Sequence, residues 1–142
     1  MRTNRVNLAL CLGLLVLAGL ACNYSASTAN ISDLKLGKDK DVSQATTTFA
    51  TTDTVYAVAT VSNAPGKVQV KGRLAIEDVE GEQAGPIPGL EKTLDLEGSG
   101  TATYTFSPPP SGWPKGKYKV EVFMLDDQGQ QKDQKSTSFS VS

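Results

Sequence analysis

Histidine is absent from this 142-residue chain, and its two cysteines, Cys11 and Cys22, both lie close to the N-terminus. Lack of histidine removes the side chain that most often serves as general base, nitrogen metal ligand or triad member. Beyond Cys22 there is no thiol, which excludes both a disulfide and a thiolate metal site from the rest of the chain. Aromatic residues make up 6%, with a single tryptophan, Trp113. Excess charge of either sign is missing as well: 14 basic residues against 15 acidic ones leave a net charge of −1. The basic residues are scattered among acids, so no surface of the kind that neutralises phosphates is expected. These absences lead us to expect no catalytic residue, no metal site, no cofactor and no nucleic-acid partner.

What remains is ordinary globular material, 39% apolar and 20% charged. One long apolar run is present, residues 8–21, preceded by Arg2 and Arg5 and ended by Cys22. A basic start, an apolar middle and small residues before a cut are the three parts of an export signal. The run is short for a membrane-spanning helix, which needs about 20 apolar residues. Its end, Leu17-Ala-Gly-Leu-Ala-Cys22, resembles the lipobox of bacterial lipoproteins. That resemblance implies a diacylglyceryl group on the Cys22 sulfur, removal of residues 1–21, and a membrane as partner through the lipid. The usual box has Leu three places before the cysteine, where this chain has Gly19. Ordinary signal-peptidase cleavage after Ala21 or Ala29 is the alternative. Loss of Arg2 and Arg5 leaves 12 basic residues against 15 acids, a net charge of −3. Residues 22–30 are small and polar, a composition suited to a flexible tether.

From residue 31 onward the apolar residues alternate with a period of two, and no helical spacing is sustained. Strands are expected over residues 31–36 and 54–62, and around Val68 to Ile76, where Val68, Val70, Leu74 and Ile76 pack and Gln69, Lys71, Arg73 and Ala75 face water. Others are expected around Leu90 to Leu96, Ala102 to Phe106, Tyr118 to Met124 and Thr137 to Val141. Residues 77–89 are rich in Glu, Gly and Pro and read as a loop. Residues 108–114, Pro-Pro-Pro-Ser-Gly-Trp-Pro, cannot continue a ladder and read as a connection between sheets. About seven short strands with turns at this spacing imply an all-β sandwich or barrel.

Gly116-Lys-Tyr-Lys-Val-Glu-Val122 resembles the start of the penultimate strand of immunoglobulin-like and fibronectin-type domains. The resemblance implies that the Tyr118 hydroxyl bonds back to the preceding connection. With the stretch from Phe49 to Tyr56, it makes the chain similar to bacterial surface lipoproteins carrying one immunoglobulin-like β-sandwich. The expected organisation is a signal segment (1–21), a tether (22–30) and one sandwich (31–142).

The expected function is a non-enzymatic, membrane-tethered, extracytoplasmic module that binds a protein partner or supports an envelope assembly. Candidate contact residues are Trp113, Pro109, Pro110 and Pro88. Packing of Trp113 over Tyr118 at the end of the sandwich is the simpler account of that ring. One alternative is a small protease inhibitor that presents residues 82–90 and 108–114 to an enzyme cleft. Another is a carbohydrate-binding module, which needs Trp113 exposed with Tyr56 or Tyr104, or a calcium-binding one. The acids of residues 77–82 and Asp126-Asp127 lack the ligand spacing of a calcium loop, and solvated turns explain them.

Overall fold

The computed structural model describes residues 28–142. The expected signal segment, Cys22 and most of the tether therefore lie outside the described residues. Among those described, the chain is all strand and connection.

Eight strands follow in chain order: β1 (Asn30–Gly37), β2 (Thr48–Phe49), β3 (Val55–Ser62), β4 (Val68–Val79), β5 (Gly85–Leu96), β6 (Gly100–Phe106), β7 (Gly116–Leu125) and β8 (Gln131–Val141). They form a three-stranded sheet in the order β1-β3-β6 and a five-stranded sheet in the order β2-β8-β7-β4-β5. The strand beyond the expected seven is the two-residue β2, which runs parallel to β8 at the edge of the larger sheet. This is the order of an immunoglobulin-like β-sandwich in which the strand after β4 stays on the larger sheet.

Each strand contributes one face to the core. In β3 the inward set is Val55, Ala57, Ala59 and Val61; in β7 it is Tyr118, Val120, Val122 and Met124. The sheets are also tied by polar bonds. Tyr104 of β6 donates its hydroxyl to the Val70 carbonyl of β4 at 2.6 Å. On the opposite side the Ile31 amide donates to the Asp133 carboxylate at 2.8 Å, linking β1 to β8.

Two expectations need correction. Residues 77–89 are not one loop, because β4 runs to Val79 and β5 already begins at Gly85. A register shift hid the strand. Arg73 pairs with Glu91 and Ala75 with Pro86, which leaves residues 87–90 opposite Leu74 alone. Such a bulge tolerates the prolines, which cannot donate to a ladder. Ala75, expected on the wet face, is buried.

Strand direction fixes two poles. Asn30 pairs with Ser62, so the chain enters the sandwich at the pole of the β3–β4 turn. Val55 pairs with Phe106 and Val79 with Gly116, so the β4–β5 and β6–β7 connections share the other pole. The eight residues of β3 separate the poles by about 25 Å.

Candidate interaction site

The pole away from the chain's entry is closed by a run of rings. Trp113 meets Tyr118 edge-to-face with centroids 6.1 Å apart. Tyr118 stacks on Phe139 at 5.5 Å, and Phe139 meets Phe49 edge-on at 5.2 Å. Such pairs add to the burial of their area. Backbone from an earlier turn fixes the tryptophan. The Trp113 amide donates to the Thr51 carbonyl and its indole Nε1–H to the Asp53 carbonyl, both at 2.8 Å. Gly112 makes the approach feasible. Its φ is +83°, and a Cβ there would lie 3.0 Å from the Thr51 oxygen.

Tyr118 behaves as the sequence resemblance implied. Its hydroxyl donates to the Pro114 carbonyl four residues upstream at 2.6 Å, with the ring buried. Burial raises the phenol's pKa, and the nearby negative charge of Glu82 raises it further. The hydroxyl is thus a neutral donor already spent on its own connection.

Above these rings lies an open, mostly apolar cleft of about 350 Å³, lined by Ile76, Ile87, Leu90, Pro109, Trp113 and Tyr118, with Glu82 and Ser107 among its polar groups. The β5 bulge supplies Ile87 and Leu90. The β6–β7 connection supplies the opposite wall, where Pro109 accepts a turn hydrogen bond from Gly112 at 2.8 Å. The volume falls at the small end of ligand pockets, which span about 300–1,000 Å³.

The structure therefore brings the segments 82–90 and 108–114 together at one pole. Pro109 is an exposed wall of the cleft. Pro110 and Pro88 are exposed beside it, on the two segments that form it. Trp113 packs over Tyr118, the simpler of the two accounts of that ring: at 4% exposure it forms the floor of the cleft, not an exposed platform. Tyr104 is likewise buried, so no stacking surface forms from Trp113 with Tyr104. Sequence reasoning missed Ile76, Ile87 and Leu90 as cleft residues. The available signal was the pair of prolines around Ile87, which marks a break in the ladder.

The other acidic turn is occupied by its own backbone. Asp126 accepts the Gln128 and Gln130 amides at 2.9 and 2.8 Å and lies 3.5 Å from the Lys132 ammonium. The Gln130 amide bond leads in holding its carboxyl below the usual range, and the Gln128 amide and Lys132 add to it.

No family model matches this sequence, and no curated protein matches it. Solved structures do resemble its fold. A cycloisomaltooligosaccharide glucanotransferase from Paenibacillus is 16% identical, with a TM-score of 0.52 over 81% of this chain. A β-glucuronidase from Bacteroides uniformis is 15% identical, also at 0.52, over 79% of this chain. The chain spans 14% of the length of each of these enzymes. An immunoglobulin-like protein from Pseudomonas aeruginosa is 13% identical, with a TM-score of 0.46, over 82% of this chain and 98% of its own. At such identities the likeness is one of fold.

Proposed function

We propose that this chain is a non-enzymatic interaction module, exported and tethered to a bacterial membrane through a lipid on Cys22. Its contact surface is the pole that carries the cleft. The observation supporting this reading is the meeting of residues 82–90 and 108–114 around one apolar cleft, on the pole opposite the chain's entry. A domain held at its N-terminus points that pole outward. The apolar floor with Glu82 and Ser107 among the lining residues suits the desolvated centre and polar rim of a protein contact.

Two measurements test it. Cys22→Ser should move the chain from the membrane fraction to the soluble one and abolish fatty-acid labelling. Undiminished labelling of that variant refutes the anchor. A photo-crosslinking residue at Pro110 or Pro88 should capture a protein in the native envelope, while one at Gln128 on the other pole should not. Equal capture from both poles refutes the contact surface.

The same convergence favours a narrower second reading, a protease inhibitor that inserts this pole into an enzyme cleft. In that case the captured protein is a protease, and its peptide hydrolysis falls on addition of the purified chain.

A further inference from the structure

The charge lining the cleft is one-sided: Glu82 is its one charged residue, while Lys115 and Lys117 lie beyond Pro114 on the way into β7, Lys117 opposite Asp78. Residues 74–91 contain no Lys or Arg, and neither do residues 93–114, so both walls are built without a basic side chain. Glu77, Asp78, Glu80 and Glu82 all fall on the end of β4 and the turn after it. Glu82 lines the cleft itself and is exposed. It lies close enough to Tyr118 for its charge to act on the phenol. Tyr118 and Trp113 cannot offer donors to an occupant, because both donate to backbone carbonyls. The floor thus asks for an apolar group, and Glu82 at the cleft, with Glu80 on the same turn, asks for a cation.

A membrane surface fits poorly. Glu82 at the cleft is repelled by anionic headgroups, and this pole lies about 25 Å from the one where the chain enters. An interior of about 350 Å³ has room for one or two side chains, not for a folded element.

We propose that the cleft takes a short extended segment of a partner protein in which a large aliphatic side chain stands next to Lys or Arg. The aliphatic group rests on Trp113 and Tyr118 between Leu90 and Pro109, and the cation meets Glu82. This assignment deepens the interaction reading above and rests on it.

Trp113 is the sole tryptophan of the chain, so its emission reports the cleft directly. The test uses the full chain in phosphatidylcholine vesicles. The probes are acetyl-Gly-Leu-Lys-Gly-amide and the three peptides with Ser for Leu, Ser for Lys or Glu for Lys, followed by emission and by titration calorimetry. The Leu-Lys peptide should give a saturable signal. Replacing its Lys by Ser should weaken binding about threefold to fivefold, as expected for one partly exposed ion pair. The Glu peptide should bind more weakly still, and the peptide without Leu should not saturate. Glu82→Gln should erase the difference between the Lys and Ser peptides while leaving the Leu requirement. Ile87→Ser should weaken every Leu-bearing peptide. Equal binding of the Lys and Glu peptides, or no saturable heat or emission change with any of them, overturns the inference. Polar capture by crosslinking together with indifference to the peptide's charge would leave the interaction module standing and remove only its proposed ligand.

Discussion

The Tyr104 ring of β6 lies flat against Gly72 of β4, so close that a Cβ on Gly72 would come within 2.7 Å of Tyr104 Cε1. The ring cannot retreat, because its hydroxyl is held by the Val70 carbonyl two residues away. Gly72 is thus the socket for an aromatic ring from the facing sheet. Gly72→Ala should destabilise by about 1–3 kcal/mol, as overpacking of a tight core does. Tyr104→Phe should cost about 0.5–1.5 kcal/mol through the lost hydrogen bond. Chemical denaturation of both variants and of Gly72→Ala with Tyr104→Leu checks the coupling. The double variant should be less destabilised than the sum of its parts, and simple additivity rejects the socket.

The corner at Tyr118 is the second measurable element. Tyr118→Phe removes the bond to Pro114 and should lower stability by about 1 kcal/mol, since that exposed connection can rehydrate its carbonyl. Tyr118→Ala should cost about 3–5 kcal/mol by opening an aromatic-sized cavity between Trp113 and Phe139. Trp113→Ala should fall in the same range, because the ring is buried and its indole bonded. A near-silent Trp113→Ala in denaturant unfolding contradicts the capping role.

Much of this was legible because period-two alternation and the Gly116-x-Tyr118 spacing are local signals. The inward set of β7 and the crossing at residues 108–114 could be read directly. The cleft could not. Its walls come from a register shift in β5 and from a connection about twenty residues later, and no local pattern announces their meeting. The role of Gly72 was hidden for a related reason: an inward position with no side chain looks like a gap until the ring from the facing sheet is placed over it. Sequence named Pro88, Pro109 and Pro110 as candidate contacts, and the structure leaves all three exposed; for Trp113 it favoured packing over Tyr118, but could not show the bonds from Thr51 and Asp53 that fix the ring.

The turn that holds the indole predicts a pH response through the side chain of Asp53. The Asp53 carboxylate accepts the Ala50 amide at 2.8 Å and lies 3.2 Å from the Lys38 ammonium. The Ala50 bond leads in lowering its pKa; desolvation opposes it, and Lys38 adds to it. A carboxyl lowered on folding contributes stability above its unfolded value, about 3.9, and loses it as pH falls through the folded one. Asp53→Asn should therefore change stability by only about 0.2–1 kcal/mol at neutral pH, given the exposure of the pair. It should also flatten the acid limb below pH ~4. Trp113 emission follows the event, because Asp53 belongs to the turn that holds the indole. Asp126→Asn, at the other pole, should leave that emission unchanged. An acid limb identical to wild type in Asp53→Asn counts against the assignment.

The outer face of the larger sheet carries the one buried charge among the described residues, Glu121, at 7% exposure. Arg73 Nε–H donates to it at 3.0 Å, Lys119 stands 3.9 Å away, and the Arg73 guanidinium lies over the Phe123 ring at 4.8 Å. The two partners are unequally placed. Loss of Glu121 leaves Arg73, which reaches water, whereas loss of Arg73 leaves a shielded carboxylate with only a distant lysine. Arg73→Ala should thus cost about 1–3 kcal/mol, more than Glu121→Gln at about 1 kcal/mol. Arg73→Lys should not restore wild-type stability, since an ammonium lacks both the Nε–H geometry and the stacking plane. Replacing the pair together, Arg73→Met with Glu121→Leu, removes the stranded charge and should return stability to within about 1 kcal/mol of wild type. Denaturant midpoints of the four variants decide it. If the paired replacement is as unstable as the single losses summed, the shielding of Glu121 is not what makes Arg73 matter.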